Sequence, residues 1–212
     1  MPLPPLSSFL DPLPLIAVLR GITPEEVDAV GIALAGAGFR VLEVPLNSPR
    51  AFDSIGKLAE RHGANCLIGA GTVIDVVDVV RVKAVGGQVV VMPHADTAVI
   101  REAKAQGMLC VPGVATPTEA FAALAAGADG LKMFPAEGIP PGALKAWRAV
   151  LPKGTLVFAV GGMRPDNLGA YWEAGASGFG TGSNLYKPGA DPAEVAKVAT
   201  AFAAGIRALP AR

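Results

Sequence analysis

The chain has 212 residues, 18 basic and 18 acidic side chains, and therefore no formal net charge. Apolar residues make up 51% and charged residues 17%, which argues against a disordered chain and leaves no basic excess for nucleic-acid binding. The N-terminus lacks the basic region of a signal peptide and no apolar run has the length of a membrane span, so we expect a cytoplasmic protein with neither membrane nor nucleic-acid partners.

Short apolar runs typical of buried β-strands alternate with helical patterns about eight times. The predicted strands are residues 15–20, 40–44, 66–69, 88–92, 108–111, 130–135, 156–160 and 178–180. The predicted helices are residues 23–36, 49–62, 74–85, 96–106, 117–126, 141–150, 164–174 and 192–206. Apolar strands that are each followed by a helix predict a parallel sheet covered by helices. Eight such units without a linker favour one (β/α)8 TIM barrel over residues 1–212, the alternative being an open doubly wound sheet.

The cysteines and histidines show no metal-binding spacing. Cys66 and Cys110 lie far apart in apolar runs, which favours buried free thiols over a disulfide. His62 and His94 are the only histidines and belong to no Cys/His cluster. We therefore predict no metal site.

Charged and polar residues, with glycine, proline and phenylalanine beside them, stand at the C-terminal ends of the predicted strands, where barrel enzymes hold their catalytic groups. In chain order they are Arg20, Glu43, Thr72, Pro93 with His94, Lys132 with Phe134, the pair Gly161-Gly162, and Gly182-Ser183. The tract Gly69-Ala70-Gly71 is interpreted as punctuation between barrel units. We predict that an arginine, a glutamate and a lysine converge on one mouth of the barrel.

Lys132 is an ionisable residue inside the apolar run 130–135. Because a buried, unpaired ammonium is costly, such a lysine tends to lose its proton and becomes a nucleophile toward carbonyl groups. The alternative is a lysine on an edge strand whose ammonium reaches solvent.

Glu43 lies in a second apolar run, residues 41–45. A carboxylate beside an amine can move the protons that imine formation requires. The alternative is a buried salt-bridge partner, with Lys132 as a candidate. Since side chains alternate between the two faces of a strand, Glu43 and Lys132 can both point into the barrel mouth.

The last two predicted strands are followed by Gly161-Gly162 and Gly182-Ser183, which we call the two glycine pairs. Barrels commonly bind phosphate at these positions through backbone N–H groups. Tight turns also need glycine, so each pair has a structural interpretation as well. Arg20 and Thr72 can hold a carboxylate, while an ion pair at the barrel rim is the alternative for Arg20.

Four segments together resemble the signature motifs of the KDPG/KHG aldolase family. They are Val41-Leu42-Glu43-Val44-Pro45-Leu46-Asn47-Ser48-Pro49, Gly69-Ala70-Gly71-Thr72-Val73, Pro112-Gly113-Val114-Ala115-Thr116-Pro117-Thr118-Glu119 and Leu131-Lys132-Met133-Phe134-Pro135-Ala136-Glu137. The resemblance extends from about Leu15 to the last predicted helix. It implies a class I, Schiff-base aldolase on a (β/α)8 barrel that needs no cofactor and is typically a homotrimer. Such enzymes cleave 2-keto-3-deoxy-6-phospho sugar acids into pyruvate and glyceraldehyde 3-phosphate.

The resemblance also implies roles for individual residues. Lys132 would form the Schiff base and Glu43 would be the acid/base residue. The implied substrate contacts are Arg20, Thr72, Pro93 and Phe134, and the implied phosphate-binding residues are Gly161, Gly162, Gly182 and Ser183.

Some positions depart from the gluconate-type members of this family. Pro45-Leu46-Asn47 stands where those members have Thr-Leu-Arg, and Val160 replaces the threonine before the glycine pair. With Val18-Leu19-Arg20-Gly21, these departures resemble the phosphogalactonate branch, in which Arg20 would bind the carboxylate. A further departure is Met92, where family members usually have a small hydroxylic residue.

The expected substrate is therefore 2-dehydro-3-deoxy-6-phosphogalactonate, and the alternative is the phosphogluconate epimer. Two functions of other classes stay open. A phosphate-binding isomerase or synthase would share the two glycine pairs but gives no reason for the lysine. A non-catalytic phosphosugar-binding protein would bind the ligand without imine chemistry.

Overall fold

The computed structural model describes residues 3–211, which form a parallel sheet surrounded by helices. The strands are β1 (Leu15–Val18), β2 (Val41–Pro45), β3 (Leu67–Gly71), β4 (Val89–Val91), β5 (Leu109–Val111), β6 (Gly113–Val114), β7 (Leu131–Met133), β8 (Val157–Val160) and β9 (Gly178–Thr181). The α-helices are α1 (Val27–Gly36), α2 (Ala51–His62), α3 (Val76–Ala84), α4 (Thr97–Ala105), α5 (Pro117–Ala125), α6 (Pro141–Arg148), α7 (Leu168–Glu173) and α8 (Pro192–Arg207). Short 3-10 helices lie at Leu6–Phe9 and Ala136–Gly138.

The strands form a nearly closed barrel in the order β5-β4-β3-β2-β1-β9-β8-β7-β6. β5 and β6 stand at the two ends of this order but are separated in sequence by Pro112 alone. Proline has no N–H to donate to a ladder, and its carbonyl accepts a 2.8 Å hydrogen bond from the backbone N–H of Lys132. The predicted eight-unit barrel is confirmed, with its fifth strand split at Pro112.

The barrel interior is filled by one apolar group of side chains, which we call the inner cluster. Its buried members are Leu6, Ile16, Val41, Leu67, Val89, Val91, Leu109, Val111, Phe158 and Val160. Leu6 belongs to the 3-10 helix Leu6–Phe9, and Phe9 and Leu10 pack against the same cluster. The N-terminal segment therefore adds to the packing of the interior, a role that the sequence pattern did not predict.

The alternate side chains of the strands face the helices and form a larger apolar core. Several helices begin with a capping residue in extended conformation, as their sequences favour. Thr116 and Glu119 form a reciprocal capping box at α5, and Asp75, Asp96 and Asp191 accept backbone hydrogen bonds at α3, α4 and α8. Each of these caps therefore fixes the point next to the barrel mouth where a βα connection ends and its helix begins.

Two predicted helices begin later than expected. Regular α1 starts at Val27, and the preceding Thr23 donates its hydroxyl and its backbone N–H to the carboxylate of Glu26. α7 starts at Leu168, because the side chain of Asn167 binds the adjoining loop instead of capping the helix. The carboxylate of Glu26 and the side-chain amide of Asn167 thus both form hydrogen bonds with the loop that precedes their helix.

Cys66 and Cys110 are buried free thiols, as predicted. Within residues 3–211, no helix combines the length and the apolar character that a bilayer crossing requires.

Candidate active site

Lys132 lies in the middle of β7 and points into the barrel. Its strand pairs with β6 on one side and β8 on the other, so the edge-strand interpretation is wrong. The residue is 6% exposed, and its Nζ lies 4.7 Å from the ring centroid of Phe134. Burial lowers the pKa of the amine, the Glu43 carboxylate opposes this effect, and the positive charge of Arg20 adds to it. The site therefore shifts Lys132 toward its neutral, nucleophilic form.

Glu43 lies on β2, and its side chain is almost completely buried, with 1% exposure. Its Oε2 has no hydrogen-bond partner among residues 3–211. Burial raises the pKa of this carboxyl to about 7, although Lys132 and then Arg20 act to lower it. A group with this pKa exists in both protonation states at neutral pH and can donate as well as accept a proton.

Glu43 and Lys132 interact through space rather than as a contact ion pair. Among the ion pairs of the described residues, none joins these two side chains. Each nonetheless shifts the pKa of the other. The salt-bridge interpretation of Glu43 therefore does not describe the structure, in which space separates the amine from the carboxylate.

The room for the Glu43 carboxylate comes from a glycine on the next strand. A methyl group at Gly71 would overlap with Oε2 and Cδ of Glu43. Any larger residue at Gly71 would have to move the carboxylate.

A cavity of about 470 Å³ opens at the C-terminal ends of β1, β7, β8 and β9. Eight residues singled out from the sequence line it: Arg20, Lys132, Phe134, Val160, Gly161, Gly162, Gly182 and Ser183. The structure thus gathers the arginine, the lysine and both glycine pairs around one space. Glu43 does not line the cavity, although its carboxylate and Lys132 each shift the pKa of the other.

Two predicted substrate contacts lie outside the lining of this cavity. Thr72 follows β3 with a φ of 55°, a conformation unusual for a residue with a side chain. Pro93 follows β4, where a methyl group at Gly113 would come within 2.5 Å of its carbonyl. Both stand at the same end of the barrel as Lys132, but their roles stay a prediction.

The glycine pair after β8 adopts a conformation that requires glycine. Gly161 has a φ of 110° and Gly162 a φ of 66°. The carbonyl of Gly162 accepts a 2.9 Å hydrogen bond from Asn167, and that of Met163 a 3.0 Å bond from Asn184. The two asparagines therefore hold this loop through its carbonyl groups, which leaves the loop rigid at the cavity wall.

Several cavity residues were assigned no role in the site from the sequence. They are Val18, Gly21, Glu137, Met163, Asn184, Tyr186, Lys187 and Pro188. Glu137 lies directly over the glycine loop, since a methyl group at Gly162 would come within 2.5 Å of its Cγ. Lys187 adds a third basic side chain to the lining, after Arg20 and Lys132. No periodicity marks these loop residues, so only the tertiary structure identifies them.

Met92 points away from the cavity. Its side chain is buried among the helix-facing residues, and its sulfur lies 3.8 Å from Sγ of Cys110. A hydroxylic side chain at this position would therefore face the outer core, and the departure at Met92 leaves the cavity wall unchanged.

Within the described residues, no group of three or more His, Cys, Asp or Glu side chains is arranged to hold a metal ion.

Residues 6–200 match the family model described as "Aldolase: KDPG and KHG aldolase". The chain is 47% identical over 209 residues to the "Probable 2-dehydro-3-deoxy-6-phosphogalactonate aldolase" of Rhizobium meliloti (strain 1021), which covers 99% of this chain and 96% of that protein. It is also 47% identical over 195 residues to the "2-dehydro-3-deoxy-6-phosphogalactonate aldolase" of Escherichia coli (strain K12), covering 92% of this chain and 95% of that one.

A solved structure described as "Native KDPGal structure" has a similar fold. The two superpose with a TM-score of 0.91 and 46% sequence identity, over 92% of this chain and 95% of the other.

Proposed function

The chain belongs to the KDPG and KHG aldolase family, and we propose that it is a class I aldolase that cleaves 2-dehydro-3-deoxy-6-phosphogalactonate to pyruvate and D-glyceraldehyde 3-phosphate. The observation that carries this proposal is a buried lysine at the wall of a cavity, coupled by charge to a buried carboxyl of pKa about 7. This pair provides a nucleophile for a ketone and a group that can move protons at neutral pH.

The reaction begins when the neutral Nζ of Lys132 attacks the C2 ketone. Its lone pair forms the C–N bond, and the carbonyl electron pair moves to oxygen and takes up a proton. Glu43 transfers the protons that allow the resulting carbinolamine to lose water. The product is an iminium ion, whose positive nitrogen attracts the electrons of the neighbouring bonds.

Carbon–carbon cleavage follows from this iminium ion. Glu43 takes the proton of the C4 hydroxyl, directly or through a water molecule. The C4–O bond becomes a carbonyl, and the electron pair of the C3–C4 bond moves to form the pyruvate enamine. Protonation of the enamine at C3 and hydrolysis of the imine release pyruvate and return neutral Lys132. The iminium nitrogen supplies the electron sink, so this route involves no metal ion.

The two anionic ends of the substrate are assigned to the groups that can bind a carboxylate and a phosphate. We assign the carboxylate to Arg20 and Thr72, with Pro93 and Phe134 at the pyruvate end beside the lysine. The phosphate is assigned to Gly161, Gly162, Gly182 and Ser183. The positive φ angles of Gly161 and Gly162 and the place of both pairs in the cavity lining support this polarity.

The preference for the galactonate epimer rests on Val160 and on the two relatives that are 47% identical. Val160 lines the cavity, and a methyl group at Gly180 would come within 2.7 Å of its Cγ2. The valine is therefore packed tightly against β9 and presents an apolar wall. A hydroxyl at C4 that needs a donor or acceptor on this wall would be left without a partner.

The finer properties are part of the same proposal. We propose one domain over residues 1–212, a place in galactonate degradation, and a homotrimer in the cytoplasm. Four exposed apolar side chains, Ile74, Val76, Val77 and Val80, lie just before α3 and along its first half, and they support a contact between subunits. Two free buried thiols fit a reducing compartment.

Borohydride reduction in the presence of pyruvate tests the chemistry. We expect inactivation and a covalent adduct on Lys132, found by mass spectrometry of the digested protein. Activity should withstand EDTA. An adduct on another residue, or none, would remove the class I assignment. The ratio of kcat/KM for the two C4 epimers tests the substrate, and a clear preference for the gluconate epimer would overturn the branch while leaving the aldolase.

A further inference from the structure

The carboxylate of Glu26 connects two segments that are about 160 residues apart in the chain. Its Oε2 accepts hydrogen bonds from the backbone N–H of Thr23 at 3.0 Å and from the Thr23 hydroxyl at 2.8 Å. Its Oε1 accepts from the hydroxyl of Tyr186 at 3.0 Å and from the backbone N–H of Gly189 at 2.7 Å. One side chain therefore fastens the loop after β1 to the loop after β9.

The loop after β9, residues 182–189, bears directly on the cavity. Ser183 and Lys187 belong to it, and both line the cavity. Tyr186 is 3% exposed, so its ring is packed while its hydroxyl reaches Glu26. Glu26 thus bonds to the loop on both sides of Lys187, at Tyr186 and at Gly189.

The same loop packs on the residue that follows Arg20. A methyl group at Gly21 would come within 2.7 Å of Cγ of Pro188. Gly21 has a φ of 79°, and its backbone N–H donates to the hydroxyl of Ser48 at 2.9 Å. The turn that carries Arg20 is therefore held from both sides, by the loop after β2 and by the loop after β9.

The pKa shifts of Glu26 and Tyr186 favour an ionised carboxylate and a protonated hydroxyl, the states in which the two side chains form their hydrogen bond. Burial acts to raise the pKa of Glu26, but the hydrogen bonds from Thr23, Gly189 and Tyr186 together hold it below its ordinary value. Burial, and then the bond to Glu26, raises the pKa of Tyr186, which stays a donor. Hydrogen bonds to an ionised carboxylate are stronger than neutral ones.

We propose that Glu26 is a positioning residue, whose carboxylate fixes the distance between Arg20 at the carboxylate end of the substrate and Ser183 with Lys187 at the phosphate end. This inference rests on the proposed function, because it uses the assignment of the two ends. In this arrangement Lys187 supplies the positive charge for the phosphate. Among the ion pairs of the described residues, none involves Lys187, so its charge is available to a ligand.

The test compares a ligand that spans both ends with one that occupies only the lysine end. The first is the phosphorylated substrate, measured by kcat and KM for cleavage. The second is pyruvate, measured by the concentration that half-saturates borohydride inactivation. For Glu26→Gln and Glu26→Ala we expect KM for the phosphorylated substrate to rise about tenfold or more, the usual scale for losing hydrogen bonds to a charged group. The half-saturating pyruvate concentration should stay within about twofold of the wild-type value.

Two further variants make the result specific. Tyr186→Phe removes one of the four hydrogen bonds and keeps the buried ring, so we expect a smaller rise of KM in the same direction. It also decides the question if the Glu26 variants do not fold. Glu25→Gln is the matched control, because Glu25 is exposed and bonds to Arg50 instead of the loop after β9. This variant should leave both constants unchanged.

The inference is wrong if the folded Glu26 variants and Tyr186→Phe leave KM for the phosphorylated substrate unchanged, or if they raise both constants equally. That result differs from a failure of the proposed function. If the wild-type protein gives no pyruvate adduct, the aldolase proposal fails; if it gives the adduct and the variants do not separate the two ligands, only the role of Glu26 fails.

Discussion

Replacing Glu43 with glutamine should stabilise the fold at alkaline pH while it removes activity. A pKa of about 7, against an ordinary value of 4.5, means that burial favours the neutral carboxyl. At about 1.4 kcal/mol for each tenfold change in proton affinity, ionised Glu43 destabilises the folded state by about 3 kcal/mol. Below pH 4.5 the carboxyl is neutral in both states and this loss is absent. The loss grows as the pH rises above 4.5 and is complete above about 7.

The measurement is cleanest in a chain that already carries Lys132→Met, because the titration of Lys132 is linked to that of Glu43. Removing the amine also removes the attraction that lowers the pKa of Glu43, so the effect grows. Urea unfolding at pH 5 and pH 8 gives the free energies. We expect Lys132→Met to lose at least about 2 kcal/mol more stability over this interval than Lys132→Met/Glu43→Gln.

Equal pH dependence in the two chains would refute the reasoning, since it would mean that Glu43 ionises in the folded protein as easily as in water. In the chain with Lys132 intact, Glu43→Gln should lower kcat by roughly 100-fold or more, the usual range for losing a general acid/base, while pyruvate still forms some imine. A variant with unchanged kcat would reduce Glu43 to a structural residue.

Three further substitutions test separate parts of the structure. Val160→Thr should shift the ratio of kcat/KM toward the gluconate epimer by roughly tenfold to a hundredfold, the scale of one buried hydrogen bond, and an unchanged ratio would remove this residue from substrate selection. Gly71→Ala should lower kcat as Glu43→Gln does, because its methyl group displaces the carboxylate, whereas Gly142→Ala, with no atom within 4 Å of the new methyl group, should not. Val77→Asp should lower the mass measured by light scattering from that of a trimer, since Val77 is 62% exposed; an unchanged trimer would place the subunit contact elsewhere.

The barrel and its lysine could be predicted because their signals are local. Each strand is a short apolar run, and the run around Lys132 is interrupted by a single charge, so the period of the strand also gives the direction of the side chain. The positions of Arg20 and the two glycine pairs followed from the rule that barrel strands carry function at their C-terminal ends. These residues do line one cavity.

The residues that escaped prediction act across long distances in the sequence. Thr23 and Glu26 have the spacing of a capping box, a pattern that indicates only the local start of a helix. The carboxylate of Glu26 reaches Tyr186 and Gly189 as well, which no pattern within one helix can indicate. Glu137 escaped for a similar reason, since it meets Gly162 only when the ends of β7 and β8 are side by side.

The tract Gly69-Ala70-Gly71 shows how the proposed catalytic pair replaces ordinary barrel packing, and the interpretation as punctuation was incomplete. On β3, Leu67 belongs to the inner cluster, and by alternation Gly69 and Gly71 share its face. On β2, Val41 pairs with Leu67, and Glu43 pairs with Gly69. Val41 and Leu67 thus fill this face with apolar side chains at the N-terminal part of the two strands. Nearer the C-terminal ends, the same face has the carboxyl of Glu43 beside Gly69 and Gly71. Because the glycines leave space for Glu43 but offer Oε2 no hydrogen bond, burial disfavours the ionised carboxyl more than the attraction of Lys132 and Arg20 favours it, and this balance raises its pKa to about 7.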